Sequence, residues 1–136
     1  MKYEYFDVTA DVGVKAYGAT LNEVFENAAL AVFQVMCDTT MVAPRKKKKV
    51  RVRADDLGGL LCEWLTQLLG LKDIYGMMFS RFKVHVDEEK IALDGEAWGE
   101  ETREKHSIKT EVKAVTYHMM EVKKNDLWRG KFILDV

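Results

Sequence analysis

The 136-residue sequence predicts an α+β fold, with two helices on one face of a largely antiparallel sheet. Two segments repeat apolar residues at three- and four-residue spacing, as helices that pack on a sheet do. Several other segments alternate apolar and polar residues, which is typical of half-buried strands. No segment has the length or composition of a linker, so we expect one domain over residues 1–136 with the order β-α-β-α-β-β-β-β.

The first strand and the first helix are predicted within residues 2–36. Residues 2–8 alternate like a strand, and Asp11–Gly18, with its two glycines, is predicted to be a loop. Thr20 and Glu23 form a capping box, in which both side chains accept backbone N–H groups at the start of a helix. The apolar face of this helix comprises Leu21, Val24, Phe25, Ala28, Val32 and Met36.

A second strand and a second helix follow the basic tract Arg45–Lys49. The strand is predicted over Val50–Ala54, where valines alternate with arginines. Asp55 or Asp56 is the expected N-cap of the helix, and Gly70 is its expected end. Its apolar face carries the largest hydrophobic load in the chain: Leu57, Leu60, Leu61, Trp64, Leu65, Leu68 and Leu69.

The remainder of the chain is predicted to be β-rich. Residues 82–97 form a hairpin around the polar turn Asp87–Lys90, and a polar segment spans residues 99–109. Strands are then expected over residues 110–122 and 128–135, separated by a turn at residues 123–126.

Composition limits the classes of function. The formal net charge of −1 gives no overall attraction to nucleic acid or to anionic lipid. No apolar stretch reaches the roughly 20 residues that span a bilayer, and the N-terminus lacks the apolar segment of a secretion signal. We therefore predict a cytoplasmic protein without a membrane partner, in which Cys37 and Cys62 are buried free thiols.

No catalytic signature is evident in the sequence. The glycines Gly58 and Gly59 are not followed by the Lys-Ser/Thr pair of a phosphate-binding loop. The three histidines lack zinc-ligand spacing, and neither cysteine lies beside a general base. His85 is predicted to be a surface residue, whereas a fixed hydrogen-bonding role for His106 is left open.

Two acids and one chain end carry the main functional signal. Asp135 follows the apolar run Phe132–Leu134 beside the α-carboxylate of Val136, and Asp11 lies in another apolar setting. Burying such charges is costly without a cation or hydrogen-bond donors. If Asp11 and Asp135 meet, their oxygens suit a hard divalent cation, Ca²⁺ or Mg²⁺. Alternatively, Asp11 satisfies backbone N–H groups in a loop and Asp135 is solvated.

The basic tract, extended by Arg51 and Arg53, suggests an alternative function. Residues 45–53 could bind RNA phosphates, although no aromatic residue interleaves with the cations to stack bases. The other interpretation is an edge strand whose lysines prevent sheet-to-sheet aggregation.

The order of the motifs resembles the archease family over essentially the whole chain. One departure is visible, because many archeases carry His where this chain has Val8, so any role of that His does not carry over. The matching segments are Thr9–Gly13, Leu21–Ala29, Leu60–Leu65, His106, Glu111–His118 and Ile133–Val136.

The resemblance implies a strand-helix-strand-strand type module with an insertion, acting as a protein cofactor rather than an enzyme. Archeases assist the GTP-dependent RNA ligase that joins tRNA halves with a 2′,3′-cyclic or 3′-phosphate end to a 5′-hydroxyl. They promote guanylylation of the ligase and its repeated turnover. By position, Asp11, Asp135 and Val136 correspond to the family's metal-binding residues, and Lys113 and His106 are expected to face the partner. Contact with RNA would then be indirect.

Two further classes receive little support from the sequence. A metal-dependent hydrolase built on the same acids lacks an evident general base or nucleophile. A general chaperone would need a long exposed apolar groove, and the sequence indicates none.

Overall fold

A computed structural model describes all residues, 1–136, as seven strands, two α-helices and two short 3-10 helices. The 3-10 helices span Thr39–Met41 and Glu104–His106. The main elements are β1 (Tyr3–Val8), β2 (Asp11–Gly18), α1 (Leu21–Met36), β3 (Lys46–Arg53), α2 (Leu57–Tyr75), β4 (Met77–Asp87), β5 (Ala92–Glu101), β6 (Ala114–Lys124) and β7 (Trp128–Asp135).

The strands form two antiparallel sheets, with the orders β1-β2-β7-β6 and β3-β5-β4. Helix α1 packs mainly on β2 and β4, and α2 packs mainly on β6 and β3, so each helix contacts both sheets. A single cluster of 31 buried residues fills the space between these elements. The predicted α+β class is confirmed, with the strands divided between two sheets.

Helix α1 begins at the predicted cap and closes the free edge of β4. The Thr20 hydroxyl accepts the Glu23 N–H at 3.2 Å, while the Glu23 carboxylate accepts the Ala19 N–H at 2.9 Å. Along the helix, Glu26 and Asn22 accept the N–H groups of Val84 and Val86. These bonds satisfy donors that an exposed edge strand would offer to another chain.

Helix α2 extends past its predicted end. Gly70 was expected to end it, but the helix continues to Tyr75, and Gly76 ends it in the left-handed conformation with φ 59°. A single glycine inside a helix costs only about 1 kcal/mol, which the buried leucines of α2 outweigh. The Trp64 side chain is completely buried, and its Nε1 donates to the Phe25 carbonyl at 3.0 Å.

The predicted loop at Asp11–Gly18 is wrong, because this segment is strand β2 and the order begins β-β-α. Gly13 is compatible with the strand because the Phe6 ring of β1 lies over it, and a Cβ at this position would overlap the ring atoms. The tract Lys46–Lys49 belongs to β3, and the hairpin strand β4 starts at Met77 rather than residue 82. Strand β6 starts at Ala114 rather than residue 110.

Two smaller predictions concern thiols and membranes. Both cysteines are free; Cys37 is buried, whereas Cys62 is only partly buried. Neither helix is long and apolar enough to cross a bilayer.

Candidate functional site

The structure brings the two predicted acids to neighbouring positions at one end of the four-stranded sheet. Strands β2 and β7 are antiparallel neighbours, and at this end their pairing reaches Val12 with Leu134. One step further along this register, Asp11 lies opposite Asp135. Residues directly opposite each other project from the same side of a sheet, with Cβ atoms about 4.5–5.5 Å apart. The two carboxylates therefore share one side of the sheet.

The residues beside the acids do not neutralise them. Val8 pairs with Asp11 on the β1 side, and Ala114 pairs with Asp135 on the β6 side. Neither acid takes part in a salt bridge. The result is a pair of adjacent carboxylates without a salt bridge to a protein cation, an arrangement that attracts an external one.

Val136 and Lys113 lie at the same end of the sheet. The Val136 side chain packs against the core, directly after Asp135. The backbone N–H of Lys113 donates to the Asp135 carbonyl at 2.8 Å, and the Lys113 side chain is exposed. The structure thus places four of the five predicted site residues together.

Carboxylate oxygens are the kind of ligand that a hard cation prefers, but two carboxylate side chains are too few to surround it. No group of three His, Cys, Asp or Glu side chains could hold a metal ion. An ion between Asp11 and Asp135 would need further oxygens, such as the predicted Val136 carboxylate, water or groups on a partner. Metal binding itself stays a prediction.

A small apolar cluster adjoins the acid pair on the same side of the sheet. Ile133 lies opposite Gly13, is 5% exposed and does not belong to the main core. Phe6 covers this position, and the ammonium groups of Lys15 and Lys131 each lie 5.5 Å from its ring centroid. The cluster fixes β1, β2 and β7 against one another next to the acids. Sequence reasoning missed it, although a glycine within an alternating pattern was the available signal.

Strand β6 carries a bulge a few residues after Ala114, near the start of α2, where the Tyr117 hydroxyl donates to Asp56 at 3.2 Å. Its register with β7 shifts between Thr116 and Glu121, so the four residues in between face a single residue of β7. Tyr117 and Met119 in this bulge are 57% and 52% exposed. Within it, Met119 has φ 63°, in the left-handed region that non-glycine residues rarely adopt. Nothing in the sequence distinguished this segment from a regular strand.

His106 does not lie on the predicted partner surface. Its side chain is completely buried: Nδ1 accepts the Arg103 N–H and Nε2 lies 2.9 Å from the Glu100 carboxylate. The ring therefore carries its proton on Nε2 and donates it to Glu100. The prediction that His106 faces a partner is wrong, because the imidazole forms a buried hydrogen bond, the alternative that the sequence had left open.

Glu100 accepts from two further groups, the Lys105 ammonium and the Ala43 N–H, each at 2.8 Å. These donors, with His106, lower the pKa of Glu100 to about 2. The carboxylate is therefore a fully partnered structural charge.

The basic tract forms an edge strand, as its second interpretation predicted. Three of its cations form salt bridges at 2.7–3.0 Å: Lys46 with Glu101, Lys47 with Glu96 and Arg51 with Asp94. Val50 and Val52 of the same strand face the core. His85, on the other edge strand, is exposed as predicted.

The chain is similar to known proteins over nearly its full length. Residues 3–136 match the model of the Archease protein family (MTH1598/TM1083). The curated "Protein archease" of Methanothermobacter thermautotrophicus is 48% identical, with 98% of each chain covered. That of Sulfurisphaera tokodaii is 45% identical, with 99% of each covered. The solution structure of Methanobacterium thermoautotrophicum protein 1598 superposes with a TM-score of 0.88 at 48% identity, covering 99% of each chain. By sequence and by fold, this chain belongs to the archease family.

Proposed function

We propose that the protein is a non-catalytic activator of the GTP-dependent RNA ligase that joins tRNA halves bearing a 3′-phosphate end. It would promote guanylylation of the ligase and its repeated turnover in the cytoplasm. Asp11, Asp135 and the Val136 carboxylate would hold a divalent cation, Ca²⁺ or Mg²⁺. Membership of the archease family supports the choice of partner.

The observation that carries this proposal is the acid pair. Asp11 and Asp135 face each other across β2 and β7, and neither has a salt-bridge partner. Two like charges directly opposite each other destabilise a sheet by roughly 0.2–1 kcal/mol. A fold that keeps them at an exposed end is expected to use them for binding rather than for stability.

The chain's own residues would contribute by holding the cation in a fixed place on the protein surface. When bound, the cation would supply positive charge that neutralises phosphate oxygens in the nucleotide pocket of the ligase. Asp11 and Asp135 fix where that charge is presented, since both belong to paired strands. The apolar cluster around Phe6 keeps those strands rigid. Exposed Lys113, whose backbone N–H donates to the Asp135 carbonyl, lies next to the acids and offers a contact to the partner.

The test is multiple-turnover RNA ligation by the cognate ligase, with Asp11→Asn and Asp135→Asn proteins. Loss of a residue that only supports a metal ligand already lowers metal affinity by about 10–100-fold, so loss of a ligand should make each variant stimulate the ligase at least tenfold less than wild type at limiting cation. Guanylylation of the ligase, followed with labelled GTP, should fall in parallel.

Asp7→Asn is the matched control. Asp7 is an exposed acid on β1, pairs with Val12 and projects from the other side of the sheet. The Asp7→Asn protein should stimulate the ligase as strongly as wild type does. Full stimulation by correctly folded Asp11→Asn and Asp135→Asn proteins would contradict the proposal.

A further inference from the structure

The outer face of the three-stranded sheet carries an excess of positive charge. Valines of β3 and β4 point to the core, so the residues that alternate with them face solvent. Three carboxylates share this face: Asp87, Asp94 and Glu96. The six cations are Lys47, Lys49, Arg51, Arg53, Arg81 and Lys83.

Four of these cations have no salt-bridge partner: Lys49, Arg53, Arg81 and Lys83. Glu96 lies between Lys49 and Lys83 in the register, yet its salt bridge, at 3.0 Å, is with Lys47. The nearby lysines lower the pKa of Glu96. One carboxylate is thus shared among three lysines, which leaves positive charge to attract an anion.

An aromatic side chain lies among the cations. Trp98 of β5 pairs with Lys47 of β3 and with Arg81 of β4, and it is partly exposed. The Arg81 guanidinium carbon lies 5.0 Å from the centroid of the Trp98 ring. An aromatic ring flanked by cations is how proteins stack bases while contacting the phosphate backbone. The basic tract alone contains no aromatic residue, and the sheet supplies one from a neighbouring strand.

We infer that this face binds single-stranded RNA, with Trp98 stacking on a base and the cations of β3 and β4 contacting phosphates. Cations at alternate positions of β3 recur about every 6.8 Å, which forms a row along the strand. Trp98 lies between the cations of β3 and those of β4. An acidic protein segment would need only the positive charge, whereas RNA also has bases that can stack on the ring, so the arrangement favours RNA. The surface belongs to the other sheet from the acid pair, so this inference does not depend on the activator proposal.

The test measures binding of the full-length protein to a fluorescently labelled oligouridine by anisotropy over a range of salt concentrations. We expect Lys49→Gln/Lys83→Gln to weaken binding. The salt slope, which is the slope of log K against the logarithm of the salt concentration, should become shallower by about 1.4, or about 0.7 for each phosphate that the variant no longer neutralises. Trp98→Ala should weaken binding at least about fivefold. Circular dichroism and melting curves would show whether the variants are folded, and Trp98→Phe, which keeps a stacking ring, should retain most of the affinity.

The matched control is Lys123→Gln/Lys124→Gln, which removes the same charge from exposed positions of the other sheet. It should leave the affinity and the salt slope close to wild type. Equal weakening by both double variants would overturn the inference, as would a folded Trp98→Ala protein of wild-type affinity. If a polyglutamate peptide displaced the labelled oligouridine as well as unlabelled oligouridine does, the surface would bind anions nonspecifically, and the inference would be overturned as well.

Discussion

Glu100 and the acid pair Asp11/Asp135 differ in the groups that surround their carboxylates. Glu100 is buried, and it accepts from Lys105, from His106 and from a backbone N–H. Asp11 and Asp135 lie side by side at the end of a sheet without any salt bridge. The first arrangement stabilises the fold. The second is unfavourable for the isolated chain, and we attribute it to binding.

Residue type alone does not separate structural acids from acids that are available for binding. The donors supplied by the protein do. Where the fold satisfies a charge completely, as at Glu100, removal of a partner should destabilise the protein. Where it leaves two charges facing each other, as at Asp11 and Asp135, removal of one should stabilise the protein and damage its function.

The largest expected effect on stability is at the buried site. His106→Ala removes one of the three donors to Glu100, leaves the Arg103 N–H without its acceptor and opens a cavity, which should lower the free energy of unfolding by on the order of 3 kcal/mol. Urea denaturation measures the change. Ligase stimulation per folded molecule should remain, and its loss in folded protein would place His106 in the functional site after all.

Acidification should act on the same site. Donors lower the folded-state pKa of Glu100 to about 2 from an ordinary 4.5, so its charged form stabilises the fold. This stabilisation is complete above pH 4.5 and is lost as the pH falls towards 2. Denaturation between about pH 6 and about pH 2 should show a steeper loss of stability in wild type than in Glu100→Gln. Identical pH dependence would contradict the assignment of Glu100 as a structural charge.

The smallest effect, and one of opposite sign, is expected at the acid pair. Without divalent cations, Asp11→Asn or Asp135→Asn relieves repulsion and should raise the free energy of unfolding by roughly 0.2–1 kcal/mol. Urea denaturation in the presence of a chelator measures it, with Asp7→Asn expected to change little. Destabilisation by either site variant would mean that the acids have structural partners.

Local sequence signals predicted much of the fold. Thr20 and Glu23 defined the start of α1, and the leucine pattern identified α2, because caps and periodicity act within a few residues. The β2 strand was missed because its glycine looks like a loop residue until the Phe6 ring of β1 is placed over it. Such a contact between strands cannot be read from one segment alone.

The candidate site was predictable only in part. The sequence singled out Asp11 and Asp135, but the β2–β7 register that aligns them depends on long-range pairing. His106 was misplaced because its partner, Glu100, had no recognisable signal in the sequence. The role of Trp98 required the sheet, since the cations beside it come from two other strands.

The most direct test of the central claim is thermal unfolding of wild type and of Asp11→Asn/Asp135→Asn with and without Ca²⁺ or Mg²⁺. A cation that binds the folded state at about 100 times its Kd stabilises it by about 2.7 kcal/mol. We predict that one of these cations raises the Tm of wild type by several degrees and leaves the Tm of the double variant unchanged. An unchanged Tm of wild type with both cations, or an equal rise in both proteins, would contradict a metal site between Asp11 and Asp135.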